Sequence, residues 1–284
     1  RYDNRRYWTG RLGITWKPTD SVQNYLMVGG TDSRSNGAGW ILEGFNSPYI
    51  NAVFGAYGGC AGLGLGNGCS VLTQMADAQR ARGPRETALG PTPPSLNDKV
   101  KGWNLIDQLK VELTNSLTLR NILSYSSLKA TGAYDGDGTP LTWYNANLPL
   151  NGPSENARQL TEELQLQGNA LQNNLTYTAG LYYEGVNTPS DVFLQNYAFL
   201  FSNYGIGYRY DNSAKAAYGQ LGYDFGHLNS ALAGLKLTAG ARYTHEKKDS
   251  MFTQPYNNAL VLGIFRPSNV PFGIVNANQS FSNV

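Results

Sequence analysis

The sequence predicts an all-β protein whose strands form an antiparallel, up-and-down sheet. The first observation is strict alternation, clearest in Leu235–Lys248 (LKLTAGARYTHEKK), where one face is apolar and the other is wet. The second is that eight segments of this kind follow one another along the chain. The third is that short turns and long connections rich in Gly, Asn and Pro alternate between the segments.

Composition narrows the class of protein. The chain has 284 residues, of which only 15% are charged, against roughly 25% in an average soluble domain. Its net charge of +2 is too close to zero to indicate a nucleic-acid partner. No run approaches the roughly 18 apolar residues of a transmembrane helix. Strands of a transmembrane barrel, about 9–11 residues each, would not be detected by that criterion.

The first predicted hairpin joins Tyr7–Lys17 to 22–30 through the tight turn PTDS. Alternation is clean in its first strand and weaker in its second, VQNYLMVGG. The apolar face of the first strand carries Trp8, Gly10, Leu12, Ile14 and Trp16. We expect this face to contact an apolar medium.

The second predicted hairpin joins Trp103–Leu113 to 117–128 through the turn TNS. Three positions break the alternation. Asp107 falls on the apolar face of the first strand, and Asn121 and Ile122 each lie on the wrong face of the second. The remaining positions still predict two half-buried strands.

The third and fourth predicted hairpins are the most regular. The third joins Arg158–Gly168 to 175–185, with Glu162 as an exception near the loop end. The fourth joins 216–225 to Leu235–Lys248.

The connections differ in length at the two ends of the strands. The long ones are predicted over 31–98, 131–157, 187–212 and 248–280, all at one end. Soluble sandwiches mix long and short connections, whereas outer-membrane barrels have short periplasmic turns and long extracellular loops. The sequence therefore predicts a segment of a transmembrane β-barrel in a bacterial outer membrane, with 1–284 as part of one domain.

Two sets of side chains follow from this prediction. Aromatic residues near the ends of the apolar faces are typical of membrane-interface girdles; this set comprises Trp8, Trp16, Tyr183, Tyr223, Phe225 and Tyr243. Charged residues on the opposite faces would line a wet lumen; this set comprises Arg11, Lys110, Glu112, Arg120, Glu163 and Arg242. Ordinary strand composition and a solvated sheet face remain alternative explanations.

Cysteines and histidines are the residues that could carry other chemistry. Cys60 and Cys69 bound the Gly-rich stretch CAGLGLGNGC, where a disulfide in an extracellular loop or two unpaired thiols would both fit. His227 and His245 are the only histidines, and neither is near the cysteines in sequence, so no metal site is predicted. Adjacent strand residues point to opposite faces, so His245 cannot pair simply with Glu246. No enzyme activity and no cofactor are predicted.

Several strand phrases together carry a family resemblance. LTAGARYTHEKKD, NRRYWTGRLGITWKPTDS, RQLTEELQLQG, LTYTAGLYYEG and AAYGQLGYDF resemble successive strands of TonB-dependent outer-membrane receptors, the group of siderophore and other nutrient receptors. The resemblance covers most of the strands and none of the long loops. It implies a barrel of about 22 strands around an N-terminal plug. About eight of those strands are expected here. The plug, the TonB box and the C-terminal strand that ends in an aromatic residue find no match in the sequence.

The resemblance also implies a function. The expected activity is energised uptake of an extracellular ligand such as a ferric siderophore, with TonB and outer-membrane lipid as partners. Aromatic residues of the long connections are the candidates for ligand contact, since rigid rings give contact area at low entropy cost; they are Trp40, Tyr57, Trp143, Tyr144, Tyr204, Tyr208 and Tyr210. A passive porin-like barrel and a soluble carbohydrate-binding β-sandwich remain open as alternatives.

Overall fold

The computed structural model describes the backbone of residues 4–37, 39–88, 98–141, 144–147, 155–197, 202–257 and 272–283. Side chains are described over 4–37, 39–56, 58–88, 98–132, 136–141, 156–188 and 209–251. No helix within these ranges combines the length and the apolar character needed to cross a membrane.

Within the described ranges, eleven strands form one antiparallel sheet. They are β1 Arg5–Thr19, β2 Val22–Ser35, β3 Asp98–Thr114, β4 Leu117–Thr131, β5 Ala133–Asp135, β6 Tyr144–Asn147, β7 Glu155–Ala170, β8 Leu175–Tyr197, β9 Ser202–Asp224, β10 Lys236–Asn257 and β11 Phe272–Asn283. The order β1-β2-β3-β4-β7-β8-β9-β10-β11 follows the chain, while β5 and β6 form a side hairpin that joins the sheet through β8. The predicted up-and-down antiparallel sheet is therefore confirmed, and its eight predicted strands are β1 to β4 and β7 to β10.

The strands extend further than the sequence indicated. β8 and β9 have 23 residues each, and their pairing continues from Thr188 opposite Tyr210 to Tyr197 opposite Ser202. The predicted loop over 187–212 is therefore wrong. Its Tyr and Phe residues suit a ligand-binding loop, but they also favour a pleated, partly covered surface.

The predicted final loop over 248–280 is also wrong over 248–257 and 272–280, and 258–271 lie outside the described residues. β10 continues to Asn257, and β11 pairs with it from Thr244 opposite Asn283 to Gln254 opposite Phe272. The β11 sequence contains several Asn and Ser residues, which are typical of turns. Long-range pairing with β10 decides its conformation instead.

The connection between β2 and β3 was predicted as a loop but contains helices. They are α1 Ser47–Val53, α2 Gly59–Gly62 and α3 Ser70–Arg82. The Asn46 side chain caps α1 by accepting a hydrogen bond from the Tyr49 N–H at 2.9 Å. α3 is followed by Gly83 at φ 85°, a conformation open to glycine. The missed signal for α3 is its run of Leu, Gln, Met, Ala and Arg, all good helix formers.

The same connection has its own small core. The buried residues of this core are Cys60, Leu65, Cys69 and Leu72. The structure joins its two cysteines in a disulfide, with the Cα atoms 5.0 Å apart. Leu141, from the connection between β5 and β6, packs against this core. Two of the long connections therefore contact each other.

Gly138 allows a second contact between these connections. It has φ 65°, and a Cβ atom at this position would lie 3.0 Å from backbone atoms of Trp40 and Ile41. A side chain would therefore force the two segments apart.

Candidate functional site

Register divides the strand residues between two faces, because directly opposite residues in antiparallel strands project to the same side. One line of opposite residues reads Leu12, Val28, Leu105, Tyr125, Leu160 and Gly185. We call the face that carries this line the outer face, and the other the inner face. In the described part of the chain the outer face is left uncovered: Leu12, Leu181 and Leu237 are 66%, 60% and 62% exposed.

The exposure of these side chains bears on the choice between a soluble β-sandwich and a membrane barrel. A β-sandwich would place a second sheet over these side chains, but the described strands all belong to one sheet. Large contiguous apolar surfaces on a protein mark contact with a membrane or another protein.

An aromatic line crosses the outer face obliquely. It runs through Trp8, Trp103, Tyr125, Tyr183 and Tyr243, on β1, β3, β4, β8 and β10. Tyr243 is in register with Trp16, which lies eight residues along β1 from Trp8. At roughly 3.3 Å per residue and about 4.8 Å per strand, this displacement over seven strand steps corresponds to a strand tilt of roughly 40°. Strands of transmembrane barrels tilt by about 35–45°, so the aromatic line has the slope of a membrane plane.

The predicted girdle residues divide between two levels of the outer face. Trp8, Tyr183 and Tyr243 belong to the aromatic line, whereas Trp16, Tyr223 and Phe225 lie near the short turns. The rings of Tyr223 and Phe225 are 4.8 Å apart between centroids. Sequence reasoning omitted Trp103, although it precedes Leu105 by two residues on the same face. Contact with a membrane interface stays a prediction for all of them.

The six residues predicted to face a lumen all project to the inner face. Arg120, Gln165, Gly180, Tyr218 and Arg242 are opposite one another on successive strands, and Lys110 is opposite Arg120. The register thus brings three cations, two from the β3–β4 hairpin and Arg242 from β10, into one line. Lys110 Nζ also lies 2.7 Å from Glu112 Oε1.

Five polar side chains on this face contact one another and form the inner cluster: Glu163, Tyr182, Glu184, Tyr218 and Arg242. The Tyr218 hydroxyl donates to the Glu163 carboxylate, and the Tyr182 hydroxyl donates to Glu184 Oε2 at 2.7 Å. Arg242 Cζ lies 5.1 Å from the ring centroid of Tyr182 and 5.7 Å from that of Tyr218, within the range of cation–π contacts. Sequence alternation places the two tyrosines on the wet face, but only the register brings them to one arginine.

Gly180 makes this arrangement possible. It lies directly opposite Tyr218, and a Cβ atom on it would be 2.4 Å from Tyr218 Cζ. The missing side chain lets the ring lie across the neighbouring strand and reach Glu163. A cavity of about 560 Å³ adjoins the cluster, and its lining includes Gln165, Gln167, Thr178 and Gln220.

A second groove of about 610 Å³ lies on the inner face and extends to the edge strand β1. It follows one line of opposite residues: Arg11, Gly29, Asn104, Ser126, Gln159 and Val186. A Cβ atom on Gly29 would be 2.5 Å from Asn104 Oδ1, so this glycine leaves room for the amide. The groove is lined by a guanidinium, amides and a hydroxyl from separate strands.

Three of the predicted ligand-contact residues belong to long connections. Trp40 lies between β2 and β3, with its side chain 55% exposed. Tyr57 ends a short 3₁₀ helix, Gly55–Tyr57, and only its backbone is described. Trp143 lies outside the described residues. Ligand contact stays a prediction for these three.

The other four ligand-contact candidates lie on strands. Tyr144 begins β6, and Tyr204, Tyr208 and Tyr210 belong to β9, so the prediction that they lie in loops is wrong. Only Tyr210 has a described side chain, which is half-buried. Their contact with a ligand also stays a prediction.

The described residues include no group of three or more His, Cys, Asp or Glu side chains placed to hold a metal ion. His227 lies after β9, with Nε2 3.1 Å from Tyr223 Oη and Nδ1 2.8 Å from the Asp224 carbonyl oxygen. His245 is directly opposite Lys215 on β9.

Comparison with solved structures finds proteins of similar fold. The ferric yersiniabactin uptake receptor FyuA from Yersinia pestis is similar at a TM-score of 0.54 and 12% identity, covering 98% of this chain and 34% of that one. The closed form of the ferric-catecholate import receptor Fiu from E. coli K12 is similar at 0.52 and 11%, covering 98% and 40%. No protein-family model and no curated protein sequence matches the chain.

At these identities the likeness concerns the fold alone. The chain spans roughly a third to two-fifths of the length of the two receptors. The predicted fold class is confirmed: the sheet corresponds to part of the barrel of receptors of this kind.

Proposed function

We propose that the chain forms part of the wall of a TonB-dependent receptor in a bacterial outer membrane. The observation that carries the proposal is the uncovered apolar outer face, bounded by an aromatic line with the slope of a membrane plane. The fold similarity to two receptors for ferric chelates supports it.

The dimensions of the outer face suit a bilayer. Trp8 and Trp16 are eight positions apart on β1, which is roughly 26 Å along the strand and roughly 20 Å along the membrane normal at the tilt given above. The apolar band of outer-membrane barrels is about 25 Å tall. Leu12 and Ile14 lie between the two tryptophans and would contact acyl chains.

The inner face would line the lumen of the receptor. Arg242 is adjacent to Tyr243 of the aromatic line, so the inner cluster would face the upper lumen. A ligand descending from the extracellular side would meet the inner cluster and the groove beside Arg11. The plug that TonB acts on would occupy the space below. In this proposal the ligand is a ferric siderophore, and the chain itself makes and breaks no bond.

Uptake of radioactive iron tests this function. The complete protein would be produced in cells that lack their own ferric-chelate receptors, with ferric tris-catecholate and a ferric hydroxamate as probes. We expect one probe to accumulate in cells with TonB and neither to accumulate without it. Equal uptake in both backgrounds would contradict energised transport and favour the porin-like alternative. Lack of uptake of either probe, in cells where the protein reaches the membrane, would contradict the siderophore assignment.

A matched pair of variants tests the inner cluster within this function. Arg242→Gln should lower uptake several-fold at an unchanged level of protein in the membrane, because it removes the cation held between Tyr182 and Tyr218. Lys236→Gln, at the turn end of the same strand, is the control and should leave uptake unchanged.

A further inference from the structure

Four polar side chains interrupt the outer face. Asn24, Asp107, Asn121 and Glu162, here called the polar quartet, belong to β2, β3, β4 and β7, which are four consecutive strands of the sheet. Asp107, Asn121 and Glu162 are also exceptions to the sequence alternation. The register confirms that all four project to the same side as Leu12 and Leu105.

The polar quartet is organised as two equivalent pairs. Asn24 Nδ2 donates to Asp107 Oδ1 at 2.9 Å, and Asn121 Nδ2 donates to Glu162 Oε1 at 3.2 Å. In each pair an amide on one strand reaches diagonally to a carboxylate on the next. A side-chain amide has two N–H donors and a carboxylate has two oxygens, so each pair uses half of what it can offer.

Asp107 and Asn121 lie at one depth. Asp107 is four residues below Trp103 on β3, and Asn121 is four residues below Tyr125 on β4. Both reference residues belong to the aromatic line, so both polar side chains lie about 13 Å of strand below it, near the middle of the apolar band. Leucines surround them on the same face, namely Leu26, Leu105, Leu109 and Leu123.

Hydrocarbon is a poor solvent for these groups. It offers no partner for the second amide N–H or the second carboxylate oxygen, and charged groups on the lipid side of a barrel are destabilising. Packed against protein, the same groups can form the hydrogen bonds that hold membrane segments together.

We infer that the polar quartet is the centre of an interface with a second copy of this chain, packed side by side in the membrane. The inference rests on the proposed function in one respect only, namely that the outer face lies in a membrane. A two-fold axis along the membrane normal preserves depth and exchanges left for right. With the axis between β3 and β4, Asp107 of each copy faces Asn121 of the other copy, so two equivalent contacts form. The carboxylate then meets the free amide N–H, and the leucines pack around two such contacts.

Cysteine cross-linking in the outer membrane tests the interface. Leu123 lies beside the inferred axis, so Leu123→Cys in the complete protein should give a disulfide-linked species with the mass of two copies. The native cysteines are already joined to each other and would not contribute. Leu221→Cys, on the outer face of β9, is the matched control and should stay single.

A paired substitution tests the role of the polar groups. Asp107→Leu combined with Asn121→Leu should reduce the dimeric fraction at least tenfold in native-lipid nanodiscs, measured by single-particle mass. Gln108→Leu changes the adjacent inner-face residue and should leave that fraction unchanged. Leucine suits both strand and lipid, so the paired variant should fold.

The results that would overturn the inference are distinct from failure of the proposed function. A single-copy mass with no cross-link at Leu123 means that the polar quartet faces lipid. A cross-linked product of another mass means that a different protein covers it. A chain that is absent from the membrane fraction contradicts the proposed function itself, and with it the interface.

Discussion

The outer face differs between two sectors of one sheet. On β8, β9 and β10 the residues between the aromatic line and the short turns are Leu, Ala, Gly, Tyr and Phe without a polar interruption. On β2, β3, β4 and β7 each strand carries one member of the polar quartet in the same region. Strand geometry is the same in both sectors, so the difference concerns what each sector touches. The first is suited to acyl chains, and the second to a partner that can form hydrogen bonds.

The largest effect should come from a charge placed in the uninterrupted sector. Leu221 is 57% exposed and close to the middle of the apolar band, so Leu221→Arg should destabilise the protein by about 2–4 kcal/mol in lipid vesicles. Gln220→Arg, one residue away on the inner face, should change the free energy of unfolding by less than about 1 kcal/mol. Denaturant unfolding in vesicles measures both. Equal effects would remove the distinction between the faces.

On the inner face of the same sector, stability should be sensitive to added side-chain volume. Gly180→Ala introduces a Cβ atom where the Tyr218 ring lies, which should cost about 1–3 kcal/mol by overpacking. It should also release Tyr218 from Glu163 and Arg242. Gly240→Ala is a milder control on the same face, since its nearest contact would be 3.1 Å. Tyrosine fluorescence and unfolding free energy follow the two effects, and an undisturbed Gly180→Ala variant would contradict the packing described.

A charge in the interrupted sector should be tolerated better. Leu123 is directly opposite Asp107 on one side and Glu162 on the other. In Leu123→Arg the guanidinium can pair with both carboxylates, and the cost should fall to about 1 kcal/mol or less. The measurement is the same vesicle unfolding, at a dilution where the chain is a single copy. A cost as large as that of Leu221→Arg would mean that the polar quartet gives no electrostatic compensation.

The smallest effect should be a pH dependence of stability that comes from Asp32, which lies on β2 beyond the aromatic line. A hydrogen bond from Arg34 holds the pKa of Asp32 below its usual value, and Lys101 acts in the same direction. A lowered carboxyl pKa adds stability above the unfolded pKa of about 3.9 and loses it as pH falls through the folded value. The contribution of Asp32 to the free energy of unfolding should therefore be constant above about pH 5 and decline below about pH 4. Asp32→Asn should remove that part of the decline, and an unchanged acid profile would contradict the contribution.

Most of the sheet could be predicted from the sequence because period-two alternation reports the two environments directly. Leu235–Lys248 shows this, since β10 occupies Lys236–Asn257. Strand length could not be predicted, because beyond the apolar band the sequences of β8 and β9 mix polar, aromatic and aliphatic residues without regular alternation. α3 was missed because its Gly-rich surroundings dominated the composition of the connection.

The candidate site depended on register, which one sequence does not supply. The charges that line the inner face could be predicted individually, as Arg120 and Arg242 show. Their meeting in one line requires the pairing of β4, β7, β8, β9 and β10. The exceptions Asp107, Asn121 and Glu162 looked like isolated defects in the sequence. Only the register shows them as neighbours.

Spin-label accessibility along β10 tests the central claim most directly. Single cysteines at 237 to 243 in the complete, membrane-inserted protein would be labelled and measured for collision with oxygen, which dissolves in lipid, and with a water-soluble nickel complex. The account predicts a period of two, with oxygen preferred at Leu237, Ala239, Ala241 and Tyr243, and nickel preferred or both excluded at Thr238, Gly240 and Arg242. Exclusion of both reagents from the odd-numbered positions would mean that protein, not lipid, covers the outer face of this sector.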